Sequence, residues 1–206
     1  MGVPDLAGYA DARYAADYAG VVERVRAREA ALLPGSTTLA EAVARNLYKL
    51  MAYKDEYEVA RLALDPAVAA DVTTRFGQGA SYSWKLHPPI LRTLGMRRKI
   101  TLGPWFRPAY RVLRRMRRLR GTVFDPFGHA EVRRVERALI TEYLDMVDRL
   151  LGELTAGNHP AAVEIAELPE LVRGYEHVKL GNVDRYRLRL AELLSAFAQT
   201  GPPAEP

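Results

Sequence analysis

Residues 39–64 carry apolar side chains on two sides at helical spacing. One stripe consists of Leu39, Val43, Leu47, Leu50, Tyr53, Tyr57 and Ala60, and the other of Tyr48, Met51, Val59 and Leu62. A helix that is apolar on two sides is normally surrounded by other helices, because each side needs a packing partner. The pattern therefore predicts one long central helix and a mainly α-helical fold.

The same apolar spacing recurs along most of the chain. It predicts further helices over 11–33, 66–76, 104–120, 130–154 and 177–197, with a short helix after Asn158. Alternating residues in 81–86, and a second segment at 98–102, favour one small β-hairpin. We expect a single helical domain of about six helices over residues 1–199, followed by a disordered tail at 200–206.

The start of the central helix has a local capping signal. Ser36, Thr37 and Thr38 precede it, and Glu41 follows Thr38 by three residues. A hydroxyl and a carboxylate at this spacing form a capping box, in which each side chain accepts from a free amide at the helix start. We therefore expect this helix to be capped by its own first residues.

Positive charge is concentrated between residues 107 and 120, which contain seven arginines and no acidic residue. Spacing predicts an inner face of Ala109, Val112, Leu113, Met116 and Leu119 and an outer face of Arg111, Arg114, Arg115, Arg117 and Arg118. Guanidinium groups bind phosphate and carboxylate oxygens in pairs, so the outer face is a candidate surface for an anionic partner. A solvated helix face is the equal alternative.

The aromatic residues near this segment, Trp105, Phe106 and Tyr110, have the pattern of core residues. Binding of single-stranded nucleic acid usually needs exposed aromatic rings interleaved with the positive charge. Nucleic acid is therefore not the partner that we expect.

Asp55 falls between Met51 and Val59 on the second apolar stripe. Because burial of an unpaired carboxylate is costly, this position predicts a cationic partner from another helix. Glu58, His177 and Lys179 are the other candidates for buried polar anchors. The alternative is acid–base work by Asp55 and Glu58, which requires both to face one cavity.

Several kinds of chemistry lack their residues in this chain. It has no cysteine, which excludes disulfides, thiolate zinc sites and cysteine-held iron–sulfur clusters within it. Its four histidines are not paired at metal-binding spacing, and the phosphate loop, dinucleotide fingerprint and nucleophile elbow are not found. We expect no metal, no cofactor and no catalytic residue here. With no signal-peptide pattern and no apolar run of about 18 residues, we expect a cytoplasmic protein without a membrane segment.

Five stretches together resemble a known family. They are 50–62 (LMAYKDEYEVARL), 103–106 (GPWF), 119–128 (LRGTVFDPFG), 133–143 (RRVERALITEY) and 168–179 (LPELVRGYEHVK). In order and spacing, over roughly residues 5–190, the chain resembles the carboxy-terminal domain of the indolepyruvate ferredoxin oxidoreductases, members of the 2-oxoacid:ferredoxin oxidoreductase group.

Enzymes of that group oxidatively decarboxylate 2-oxoacids to acyl-CoA, with thiamine diphosphate for the carbanion chemistry and iron–sulfur clusters for electron transfer to ferredoxin. The resemblance implies that both cofactors belong to associated catalytic modules. It implies a noncatalytic accessory domain or subunit that supports assembly or partner docking, with those modules and ferredoxin as candidate partners. Two alternatives are a stand-alone basic module that binds nucleic acid or an anionic cofactor, and an enzyme using the neighbourhood of Asp55 and His177.

Overall fold

The chain is mainly α-helical in the computed structural model, which describes residues 2–77, 83–86, 100–174 and 176–199. This confirms the predicted fold class. The chain divides into two compact units. We call residues 53–134 the inserted unit, and residues 1–52 with 135–206 the terminal unit. The expected single domain over 1–199 stays a prediction, and the expected tail at 200–206 lies outside the described residues.

The described residues form nine α-helices and two strands. In chain order they are α1 (Gly2–Tyr9), α2 (Ala12–Leu32), α3 (Thr38–Met51), α4 (Glu56–Ala63), α5 (Pro66–Phe76), β1 (Trp84–Leu86), β2 (Ile100–Leu102), α6 (Arg107–Met116), α7 (Glu131–Glu153), α8 (His159–Glu167) and α9 (Glu176–Ala198). Short 3₁₀ turns occupy Pro104–Phe106, Arg117–Leu119 and Leu168–Leu171. The described residues thus form more helices than the roughly six expected, in part because α1 was not predicted and because the predicted central helix is two helices.

The terminal unit has one hydrophobic core. Buried side chains from α1, α2, α3, α7, α8 and α9 meet in it, among them Leu6, Val25, Leu47, Tyr143, Ile165 and Phe197. The apolar stripes of these helices face one another, which is the arrangement that amphipathic helices need to exclude water.

The predicted helix over 39–64 is interrupted at residues 52–55. α3 ends at Met51, and Asp55 begins α4 by accepting a hydrogen bond from the Glu58 amide at 2.8 Å. Aspartate competes with the helical backbone for nearby amides, and therefore favours a helix start over a helix interior. The break could not be predicted from helical periodicity, because Met51 and Tyr57, which lie on either side of it, are both buried.

The prediction that the first residues of α3 cap their own helix was wrong. The Thr37 hydroxyl donates to Glu41 Oε1 at 2.8 Å, and no side chain of the N-cap residue reaches a helix amide. The amides of Leu39 and Ala40 instead donate to the Glu29 carboxylate of α2, at 3.0 and 2.9 Å. A residue distant in sequence thus takes the role expected of the capping box.

β1 and β2 pair antiparallel, with Trp84 opposite Leu102 and Leu86 opposite Ile100. Two strands were predicted in these places, although each covers only three residues. The predicted beginnings of the two strands, at 81–82 and 98–99, lie outside the described residues. Leu102 and Tyr110 pack with Ala60 and Ala63 in the small core of the inserted unit.

Candidate docking surface

The two units carry opposite net charges. The inserted unit has 17 lysines and arginines against 7 aspartates and glutamates, a net charge of +10, while the rest of the chain has 13 against 18, a net charge of −5. The whole-chain value of +5 hides this separation. A local excess of this size attracts acidic partners and speeds their association.

Helix α6 and the 3₁₀ turn that follows it carry the densest part of this positive charge. We call Arg111, Arg114, Arg115, Arg117 and Arg118 the arginine surface. Four of these side chains are exposed, and Arg117 is half-buried. Within the described part of the chain, no carboxylate lies within ion-pairing distance of the four exposed arginines. Their charge is therefore open to a partner.

The helix departs from the predicted faces at Val112 and Arg117, while the other four residues of the predicted inner face are half-buried. Tyr110, Leu113 and Arg117 share the inward face through i, i+3, i+7 spacing, which places Val112 on the opposite side. Val112 is 57% exposed, so its assignment to the inner face was wrong. Arg117 is turned toward the inserted unit, where burial and then the charges of Arg114, Arg118, Arg120 and Arg61 lower its pKa.

Trp105 also differs from its predicted place in the core, since it is 70% exposed. Its ring lies edge-on to Phe106, with centroids 5.4 Å apart, and Phe106 packs in the same way on the buried Tyr110 at 5.0 Å. The inner two rings thus hold the outer one at the surface. Tryptophan and arginine are the residues most enriched at protein interfaces, and both are exposed here.

Behind the arginine surface lie two arginines that are neutralised. Arg120 donates to both carboxylate oxygens of Asp55, at 2.5 and 3.0 Å. Arg61 donates to both oxygens of Glu58, at 2.8 and 2.7 Å. Both carboxylates are buried, so these two ion pairs help to hold the inserted unit together.

Asp125 is a third buried carboxylate of the inserted unit, and sequence reasoning did not single it out. It accepts hydrogen bonds from the Tyr57 hydroxyl at 2.8 Å and from the amides of Gly121 and Phe127 at 2.8 and 3.1 Å. Burial would raise the pKa of Asp125, but these hydrogen bonds lower it below its usual value. The ionised carboxylate therefore fixes the turn that follows Arg120.

The remaining predicted anchors belong to the terminal unit. Lys179 Nζ lies 2.5 Å from Glu136 Oε1, and both side chains are largely buried. His177 lies in the first turn of α9, and its side chain is outside the described part of the structure.

Glu29 is the most deeply buried charge that sequence reasoning missed. Besides the two α3 amides, its carboxylate accepts from the Ser36 hydroxyl at 2.7 Å and from His159 Nε2 at 2.8 Å. Burial raises the pKa of Glu29, but these bonds together lower it to about 2. A signal was present in the sequence, because Glu29 follows Val22 and Val25 at the spacing of the apolar stripe of α2.

No cluster of histidine and acidic side chains among the described residues has the geometry to hold a metal ion. Among the same residues, no helix combines the length and the apolar composition needed to cross a bilayer.

The fold and the surface together define a mainly helical protein with a strongly basic inserted unit. A model of the DUF6537 family, a family of unknown function, matches residues 1–192, and the chain belongs to that family. Neither the curated proteins nor the solved structures gave a match to this chain.

Proposed function

We propose that this chain is a noncatalytic accessory domain or subunit of a cytoplasmic 2-oxoacid:ferredoxin oxidoreductase, of the indolepyruvate type, and that its arginine surface docks ferredoxin. The observation that carries the docking role is the set of four exposed arginines without ion-pair partners among the described residues, on a unit of net charge +10. Ferredoxins are acidic, so the two surfaces are complementary.

The resemblance of the five sequence stretches supports the assignment to the oxidoreductase. In that assignment, thiamine diphosphate and the iron–sulfur clusters are held by the catalytic modules. The buried carboxylates support an accessory role for this chain, since Asp55 and Glu58 are saturated by arginines and Glu29 by a helix start. The oxygens of these carboxylates are already occupied by hydrogen bonds within the chain, which favours a structural role over acid–base work.

Exposed Trp105 favours a second candidate function, the binding of single-stranded nucleic acid. A tryptophan beside arginines can stack on a base while the guanidinium groups bind phosphate. Val112 and Val123 are exposed on the same unit. Their aliphatic side chains can neither stack on a base nor bind a phosphate. They do suit a protein interface, where exposed apolar side chains become buried. The protein partner is therefore the better supported.

Replacing Arg114, Arg115 and Arg118 together with glutamine is expected to raise the KM for ferredoxin about tenfold at low salt, because each lost charge weakens steering and pairing. The increase should shrink at high salt, where charges are screened. The rate with methyl viologen, a small acceptor that needs no docking, should stay unchanged. The measurement uses the oxidoreductase assembled with this chain.

A matched control replaces Arg13, Arg134 and Arg185, three exposed arginines outside the arginine surface, with the same loss of charge. An unchanged ferredoxin KM in the first variant, or an oxidoreductase that does not bind the chain, would overturn the proposal. Micromolar binding of a labelled single-stranded oligonucleotide, lost in the same variant, would favour the second candidate instead.

A further inference from the structure

Val123 and Phe124 are the most exposed large apolar side chains in the described part of the chain, at 81% and 77%. They follow the arginine surface closely and occupy the tip of the turn at 121–128. We call these two residues the apolar tip. Two adjacent side chains of this size in water are unfavourable unless another surface covers them.

The turn beneath the apolar tip has a fixed structure. Thr122 donates its amide to Leu119 and Asp125 donates to Thr122, at 2.9 and 3.1 Å. The Asp125 carboxylate closes the turn from inside through its bonds to Gly121, Phe127 and Tyr57. Gly121 has a φ of +75°, a backbone conformation that other residues rarely adopt. The tip is therefore presented in one conformation, which lowers the entropy lost when it binds.

The base of the turn is anchored to the structure that carries the arginine surface. Arg120, which directly precedes Gly121, is paired with Asp55 and lies over the Tyr57 ring, 5.5 Å from its centroid. Val123 lies five positions after Arg118 along the chain, so their Cα atoms are at most about 18 Å apart. A standard interface of about 800 Å² on each partner is roughly 30 Å across, and it can therefore include both.

We infer that the apolar tip inserts into an apolar socket on the acidic protein that the arginine surface binds, so that the two form one interface. The inference rests on the proposed function and adds what the partner must offer, namely a socket for two side chains with carboxylates around it. The arginine surface and the apolar tip are expected to act on different rate constants of binding. Arginines at a rim act mainly on the association rate, while a desolvated apolar contact acts on the dissociation rate.

The test compares two variants of the chain within the assembled oxidoreductase, with ferredoxin binding followed by calorimetry at 50 and 300 mM salt. Replacing Val123 and Phe124 with serine should raise the ferredoxin Kd about tenfold at both salt concentrations, because an apolar contact is not screened. The glutamine variant of Arg114, Arg115 and Arg118 should raise the ferredoxin Kd more at 50 mM salt than at 300 mM salt. Phe76→Ser, at another exposed aromatic residue of the inserted unit, is the control and should leave the Kd unchanged.

The outcomes separate this inference from the proposed function. If the serine variant binds ferredoxin as tightly as the unmodified chain while the arginine variant does not, the apolar tip is not an anchor and the docking role stands. If neither variant weakens binding, both fail. If the serine variant loses binding to vesicles of phosphatidylglycerol and phosphatidylcholine but keeps its ferredoxin Kd, the tip contacts a membrane surface and the inference is overturned.

Discussion

Replacing Asp55 with asparagine is expected to lower the free energy of unfolding of the inserted unit by about 3 kcal/mol. Asparagine fills the same space and caps a helix about as well as aspartate, so the start of α4 should be preserved. The substitution removes only the negative charge that faces Arg120. The Arg120 side chain is itself largely buried beside residue 55. Desolvation of the Arg120 guanidinium is unfavourable, and in the variant no attraction to a carboxylate offsets it.

Urea unfolding followed by tryptophan fluorescence measures this loss, because both tryptophans of the chain, Trp84 and Trp105, lie in the inserted unit. Asp65→Asn is the matched control, since Asp65 also caps a helix but has no arginine bound to it in the described structure. It should cost less than about 0.5 kcal/mol. Adding Arg120→Met to the Asp55 variant should recover part of the loss. A loss below about 1 kcal/mol for Asp55→Asn would contradict a structural role for the pair.

Replacing Glu29 with glutamine is the second change with a large expected effect, about 3 kcal/mol of stability lost from the terminal unit at pH 7. The carboxylate satisfies two amides at the start of α3, a hydroxyl and His159 at the same time. A neutral amide accepts more weakly, and it places its NH₂ group against donors that then have no acceptor. The loss should therefore appear as unfolding of α3 and its neighbours.

The Glu29 effect is expected to depend on pH. The folded-state pKa of about 2 lies below the ordinary value of 4.5, so the folded state holds the proton less tightly than the unfolded state does. The contribution of the charge is complete above pH 4.5 and is lost as the pH falls toward 2. A shift of this size corresponds to about 3 kcal/mol. The stability difference between the two proteins should therefore narrow over this interval.

Urea unfolding followed by far-ultraviolet circular dichroism between pH 2 and 7 tests both statements. Glu41→Gln provides the comparison, because Glu41 lies in the first turn of α3, the helix whose start Glu29 caps, but is exposed. Its effect should stay below about 1 kcal/mol, the size of a surface interaction with the helix dipole. A constant difference between Glu29→Gln and the unmodified chain across the whole pH range would refute the assignment of the effect to the charge.

Helices with a single apolar stripe and clear ends could be predicted from sequence with accuracy. Helix α5 begins at Pro66 and ends at Phe76 as predicted, because Asp65 caps it and Gly77 follows it. Prediction failed at residues 52–55, where apolar spacing continues through a break. The break depends on a competing hydrogen bond that the Asp55 carboxylate accepts from the Glu58 amide, and periodicity contains no information about such a bond.

The candidate site was predictable in its charge but not in its orientation. The excess of arginine in 107–120 is visible in the sequence, whereas the exposure of Val112 depends on how α6 packs in the inserted unit. That packing is centred on Tyr110, which is buried in the small core of this unit. The role of Asp125 could not be predicted for a related reason. Its partner Tyr57 is 68 residues away in sequence and comes close to it only in the folded chain.

The order of segments along the chain has a consequence for how the terminal unit can fold. Its two parts are separated by about 80 residues. At the ends of that stretch, the guanidinium of Arg133 lies 5.9 Å from the ring centre of Tyr53. If the inserted unit folds first, its two ends are held close together. The two parts of the terminal unit are then connected by a short span instead of a long flexible loop. By loop-closure entropy, that reduces the cost of joining the two parts by about 2.5 kcal/mol.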